Sequence, residues 1–109
     1  MWIELKEGDG LSGPAQIGRV MPGRGRTLRY GGRRFESLRG SGFEANYQGA
    51  ETGDEYWISG CHRDGKDALY STTVEIDDDV REEYWGAIRA RPDLVHVTSF
   101  RAEGKCRRR

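Results

Sequence analysis

The apolar positions of this chain fall in short runs, and residues that favour turns separate those runs at regular intervals. Turn signals stand at Gly8-Asp9-Gly10, Pro22-Gly23, Gly31-Gly32, Gly40-Ser41-Gly42, Thr52-Gly53-Asp54 and Asp64-Gly65, and short segments between such turns are the mark of a β-meander. The spacing predicts strands over residues 2–6, 15–20, 26–30, 34–39, 43–48, 55–61, 69–76 and 94–100. In the sixth of these, alternation sets Tyr56 and Ile58 on one face and Trp57 and Ser59 on the other.

One segment has a different period. Val80, Tyr84, Ala87 and Ile88 recur at helical spacing, Arg89 and Arg91 occupy the last turn, and Pro92 ends it. Asp77, Asp78 and Asp79 offer N-cap and first-turn acids, and Asp79 with Glu82 has the spacing of a capping box. A single amphipathic helix near residues 78–90 is therefore expected, facing a sheet through Val80, Tyr84 and Ile88. The architecture that follows is mainly β, of the α+β kind: a small antiparallel barrel or strongly curved meander sheet with that helix packed across it. Residues 1–101 read as a single small domain and residues 102–109 as a basic flexible tail.

Composition sharpens this picture. Leu, Ile, Val and Phe are sparse, but eleven aromatic residues among 109 supply much of the missing apolar area. The net charge is zero, so disorder driven by self-repulsion is not expected. No apolar run reaches the roughly 20 residues a membrane helix needs, and residues 1–20 carry no signal-peptide pattern. A cytoplasmic protein with its two cysteines, Cys61 and Cys106, reduced is the expectation.

The zero net charge conceals segregation. Between Arg19 and Arg39 seven arginines stand against one acid, Glu36, whereas Glu75 to Glu83 sets six acids against one base, Arg81. A partner meets a local patch, not the sum. If Gly31-Gly32 closes a two-residue hairpin, Leu28 faces Phe35 and Arg29 faces Arg34. Like charges directly opposite destabilise a strand pair, so either acids such as Glu36, Glu44, Glu51 and Glu55 neutralise them or an external anion does. Arg24, Arg26, Arg29, Arg33 and Arg34 form a candidate phosphate-binding set, because guanidinium forks match phosphate oxygens. Tyr30 interleaves with them as a candidate ring for base stacking, with Trp57 as the alternative. Trp57 and Trp85 are candidate anchors for a protein partner.

Other chemistry is poorly supplied. Cys61-His62 resembles a catalytic or metal dyad only by adjacency, and neighbours on a strand point apart. The best reading is a small hydrophobe at Cys61 and a surface turn residue at His62. The acids at 77–83 lack the glycine and terminal glutamate of an EF-hand loop, and neither Gly23-Arg24-Gly25 nor Gly40-Ser41-Gly42 opens a phosphate loop. No cofactor, metal site or catalytic residue is assigned. The leading expectation is a non-enzymatic module that binds RNA or single-stranded DNA through the arginine-rich hairpin. The alternative is an adaptor or inhibitor that meets a protein partner through Trp57 or Trp85 and the opposed charged faces.

Several segments carry a resemblance to a family of short bacterial proteins with no established role. They are Glu55-Tyr56-Trp57-Ile58-Ser59-Gly60, Asp64-Gly65-Lys66-Asp67-Ala68-Leu69-Tyr70 and Val74-Glu75-Ile76-Asp77-Asp78-Asp79-Val80-Arg81-Glu82-Glu83-Tyr84-Trp85. Ile17-Gly18-Arg19-Val20 and Tyr30-Gly31-Gly32 fit the same pattern. The resemblance implies a free-standing bacterial domain and no particular activity.

Overall fold

The computed structural model of the protein describes residues 1–7, 11–38, 45–68 and 70–104. Nine strands are present among the described residues: β1 (Trp2–Glu7), β2 (Leu11–Ile17), β3 (Met21–Pro22), β4 (Thr27–Tyr30), β5 (Arg33–Ser37), β6 (Tyr47–Gly49), β7 (Glu55–Ser59), β8 (Thr72–Ile76) and β9 (Ser99–Ala102). They form one curled, half-barrel sheet in the order β3-β4-β5-β6-β7-β1-β2-β8-β9. The expected mainly β class with one short helix is thus the observed one.

The sheet departs from a simple meander. The hairpin of β1 and β2 is inserted between β7 and β8, and β2 pairs with β8 in parallel through Ala15↔Val74 and Ile17↔Ile76. Local turn signals report only sequential neighbours, so this long-range insertion is invisible to them. Between Glu4 and Lys6 the β1–β2 register shifts, and Gly13 and Pro14 lie opposite the shift. A bulge is where a strand tolerates a proline, which has no N–H to give the ladder.

Insertion gives β1 two covered faces, and the protein two apolar clusters. Trp2 points to a cluster with Ala15, Ile17, Val74, Ile76, Val80, Tyr84 and Trp85, whereas Ile3 points to one with Tyr30, Phe35, Tyr56 and Ile58. Glu4 shares the Trp2 face and is fully buried. It accepts hydrogen bonds from the Trp2 indole Nε1 at 2.9 Å and from Lys6 Nζ at 2.8 Å.

The helix, α1, comprises a 3-10 turn (Asp78–Val80), one α turn (Arg81–Glu83) and a π turn (Tyr84–Ile88). Val80, Tyr84 and Ile88 pack on the sheet as the periodicity predicts. The π turn, in which Arg89 N donates to Tyr84 O, alters the rest of the face. Its wider spacing carries Trp85 into the core and leaves Ala87 exposed. No side-chain cap forms at the start of α1. The Asp77 carboxylate is occupied instead by the Tyr30 hydroxyl, which donates to Oδ2 at 2.6 Å, and the expected capping box of Asp79 and Glu82 does not form because Asp79 lies inside the 3-10 turn and caps nothing. Asp78 pairs with Arg81, while Asp79 and Glu83 flank Arg19.

The expected strand over 94–100 is also corrected. Pro92–Leu94 is a 3-10 turn, and β9 begins at Ser99. It ends on Ala102, which is buried at 3 % exposure, so the sheet runs past the boundary expected at 101. The expected tail from 105 onward, the turns at 8–10 and 40–42, and the start of the strand expected at 43–48 lie outside the described residues.

Closure of the curl depends on Gly18. A Cβ there would fall inside contact distance of both the Tyr30 ring and the Asp77 carboxylate, which are bonded to each other. Gly18→Ala should therefore cost about 1–3 kcal/mol, the usual range for overpacking, read as a lower urea midpoint with unchanged slope.

Candidate nucleic-acid interface

The candidate interface is built on β4 and β5. Gly31 and Gly32, at φ 58° and 75°, adopt the left-handed conformation that a two-residue type I′ turn requires at both positions. The turn fixes the register Thr27↔Glu36, Leu28↔Phe35, Arg29↔Arg34 and Tyr30↔Arg33. Leu28 and Phe35 face the cluster behind the hairpin. Arg29 and Arg34 therefore stand side by side on the exposed face, as the sequence register anticipates.

At the other end of β4, Arg24 and Arg26 are exposed on the β3–β4 turn. Thr27 Oγ1 donates to Arg24 O at 2.6 Å, and Ser37 N donates to Arg26 O at 3.2 Å. These bonds hold the backbone and leave both guanidinium groups to solvent. No guanidinium among Arg24, Arg26, Arg29, Arg33 and Arg34 lies within 4.0 Å of a carboxylate among the described residues. Glu36, Glu51 and Glu55 are exposed and form no ion pair with them, and Glu44 lies outside the described residues.

The remaining candidates separate. Arg33 shares the face of Phe35, sits 5.8 Å from that ring's centroid and donates to the Tyr56 hydroxyl at 3.4 Å. Counting outward from the Gly31-Gly32 turn would have assigned Arg33 to that face, away from Arg34. Tyr30 is buried with its hydroxyl on Asp77. A ring so held has no free face for a base, which corrects its expected stacking role. Burial, then the hydrogen bond to Asp77, pushes its phenol above the ordinary value of 10.0. Met21, which no pattern singled out, pairs with Arg29 on β3 and is 56 % exposed.

The tryptophans lie elsewhere. Trp85 is 3 % exposed, and its indole Nε1 donates to Val97 O at 3.0 Å, so its expected role as an anchor is corrected as well. Trp57 is half-buried against the cluster under α1. The strand β7 is packed on both faces because β1 beside it is too.

Cys61 is half-buried against the same cluster, and burial pushes its thiol up to about 11. At neutral pH it is a thiol and a poor nucleophile. His62 is exposed, with Nδ1 at 3.1 Å from Lys66 O. Among the described residues no group of three His, Cys, Asp and Glu side chains is placed to hold a metal ion, and no helix is long and apolar enough to cross a membrane.

Among the described residues the protein is a curled, nine-stranded sheet whose arginine hairpin makes no ion pair. Comparison with protein-family models, with curated proteins and with solved structures finds no match for this chain.

Proposed function

We propose that the protein is a non-enzymatic, cytoplasmic binding module that uses the β4–β5 hairpin to bind RNA or single-stranded DNA. The observation that carries this reading is the cross-strand pair Arg29–Arg34, exposed and without a carboxylate partner among the described residues. Two guanidinium groups on adjacent strands, with Cβ atoms roughly 5 Å apart, repel each other in the free protein. A phosphate between them converts that repulsion into two charge-assisted contacts.

Arg24 and Arg26 extend the cationic track beyond the pair, and Arg33 stands beside the turn. Met21 offers the apolar contact for a base or sugar that the buried Tyr30 does not. Phosphate contacts of this kind position a strand without reading its sequence. Weak sequence preference and strong dependence on salt are the expected behaviour.

The test is fluorescence anisotropy of labelled random-sequence RNA, single-stranded DNA and duplex DNA, titrated at several salt concentrations. Arg29→Ala and Arg34→Ala should each weaken single-strand binding and flatten the slope of log affinity against log salt by about 0.7. Neither should lower stability, since each relieves a like-charge pair. Absence of binding at low salt, or binding unchanged in both variants, would remove the hairpin from consideration.

A further inference from the structure

The two edges of the sheet are guarded differently. Strand β3 is two residues long and ends on Pro22, which has no N–H to offer a further strand. Short strands, prolines and bulges are the usual means of blocking an edge against another chain. The other edge is β9, and Ser99–Ala102 carries neither a proline nor a break in its register with β8.

Hydrogen bonding fixes which backbone groups of β9 are open. Ile76 N donates to Thr98 O at 2.8 Å, in line with the antiparallel register Glu75↔Ser99, Val74↔Phe100 and Thr73↔Arg101. Backbone polar groups alternate sides along such a strand, so Thr98, Phe100 and Ala102 turn theirs to β8. Ser99 and Arg101 each turn an N–H and a C=O away from the sheet. Among the described residues no strand lies beyond β9 to receive them.

The side chains divide between the two faces. Ser99 and Arg101 are exposed on one face, and Glu75 is exposed beside Ser99 on β8. Among the described residues Glu75 is in no ion pair. Arg101 lies diagonally across from it but turns away, making only long contacts to neutral hydroxyls, Thr73 Oγ1 at 3.3 Å and Ser71 Oγ at 3.5 Å. On the opposite face Phe100 is half-buried against Tyr84 and Trp85, with ring centroids 6.2 Å and 5.6 Å away.

We infer that β9 pairs edge to edge with β9 of a second copy of this chain, antiparallel and about a two-fold axis at Phe100. A two-fold contact must be complementary to itself, and this edge meets that condition. Centred on Phe100, the pairing sets Ser99 of each protomer opposite Arg101 of its partner. The outward N–H and C=O groups of these residues then meet as hydrogen-bonded pairs. Between them the two Phe100 residues stand opposite each other in the close position, where an aromatic pair adds to stability. On the other face Arg101 of one protomer lies two strands, roughly 10 Å, from Glu75 of its partner, with only the small Ser99 between. A change of rotamer brings the guanidinium to that carboxylate, and the symmetry makes the ion pair twice. This charge complementarity favours a second copy over an unrelated strand. The contact is small, so the dimer is a weak one. It lies at the end of the sheet away from the β4–β5 hairpin and does not rest on the nucleic-acid reading.

Sedimentation equilibrium of the full chain, from low micromolar to submillimolar concentration, tests it. A reversible monomer–dimer equilibrium is expected. Ser99→Pro removes an outward N–H and no bond to β8, at the first residue of a strand, where proline is tolerated. It should abolish the dimer. Arg101→Glu turns two attractions into two repulsions and should weaken dimerisation roughly tenfold or more. Glu75→Arg combined with Arg101→Glu should restore it. All three positions are exposed or turned from the core, and circular dichroism checks that the fold is kept. Arg29→Ala with Arg34→Ala should leave the dimer unchanged. Three results would each overturn the assignment. They are a monomer at every concentration, which leaves the edge to an extended peptide of another protein; a dimer indifferent to Ser99→Pro or to Arg101→Glu; and a charge exchange that fails to restore what Arg101→Glu weakened.

Discussion

Glu4→Leu should lower the stability of the fold by about 3–5 kcal/mol, the loss expected when one member of a buried ion pair is removed. The Glu4 and Lys6 side chains are 1 % and 4 % exposed and 2.8 Å apart. Leucine at position 4 leaves the Lys6 ammonium without its carboxylate and the Trp2 indole N–H without its acceptor, both in a setting that withholds water. The cost comes from stranding those groups and not from the worth of the pair itself. Glu4→Leu combined with Lys6→Met should therefore recover much of the loss, because two well-packed apolar side chains cost little where two paired charges stood. Urea unfolding of the wild type and both variants checks this. A double variant as unstable as the single one would show that the pair contributes more than the avoidance of its own disruption.

This buried pair also marks the limit of what the sequence discloses. Alternation correctly separates Tyr56 and Ile58 from Trp57, and the turn at Gly31-Gly32 correctly opposes Arg29 and Arg34. Both are local rules, and both held because neighbouring residues determine them. Glu4 and Lys6 look like the solvent face of an edge strand, and they are buried only because β1 is inserted between β7 and β2, with α1 and its cluster laid over one face. Tyr30 and Trp85 depart from their expected roles for related reasons. Tyr30 is drawn to Asp77, 47 residues away, and a single π turn rotates Trp85 inward.

Rising pH should weaken the fold steeply above about pH 9, for a reason that also lies in those long-range contacts. Burial raises the Cys61 thiol from 9.0 to about 11. The phenols of Tyr30 and Tyr84 are raised from 10.0, in both cases chiefly by burial, with the Asp77 hydrogen bond adding to the effect at Tyr30 and Arg89 opposing it at Tyr84. Each group keeps its proton in the folded chain at a pH where the unfolded chain has released it. Such a group contributes its full stability below the unfolded value and loses it progressively as pH climbs toward the folded one. The limiting slope is about 1.4 kcal/mol per pH unit for each proton so retained. The Tyr30 hydroxyl keeps some contact with solvent, which screens its share. Urea midpoints should thus be level from neutral pH to about 8.5, then fall with increasing slope to pH 10, still below the ordinary lysine value of about 10.4. Tyr84→Phe should flatten that fall. Tyr30→Phe should flatten it too while starting lower at neutral pH by about 1 kcal/mol, the net worth of one hydrogen bond. If the phenylalanine variants fall as steeply as the wild type, the two phenols do not close the sheet and the helix together as their contacts indicate.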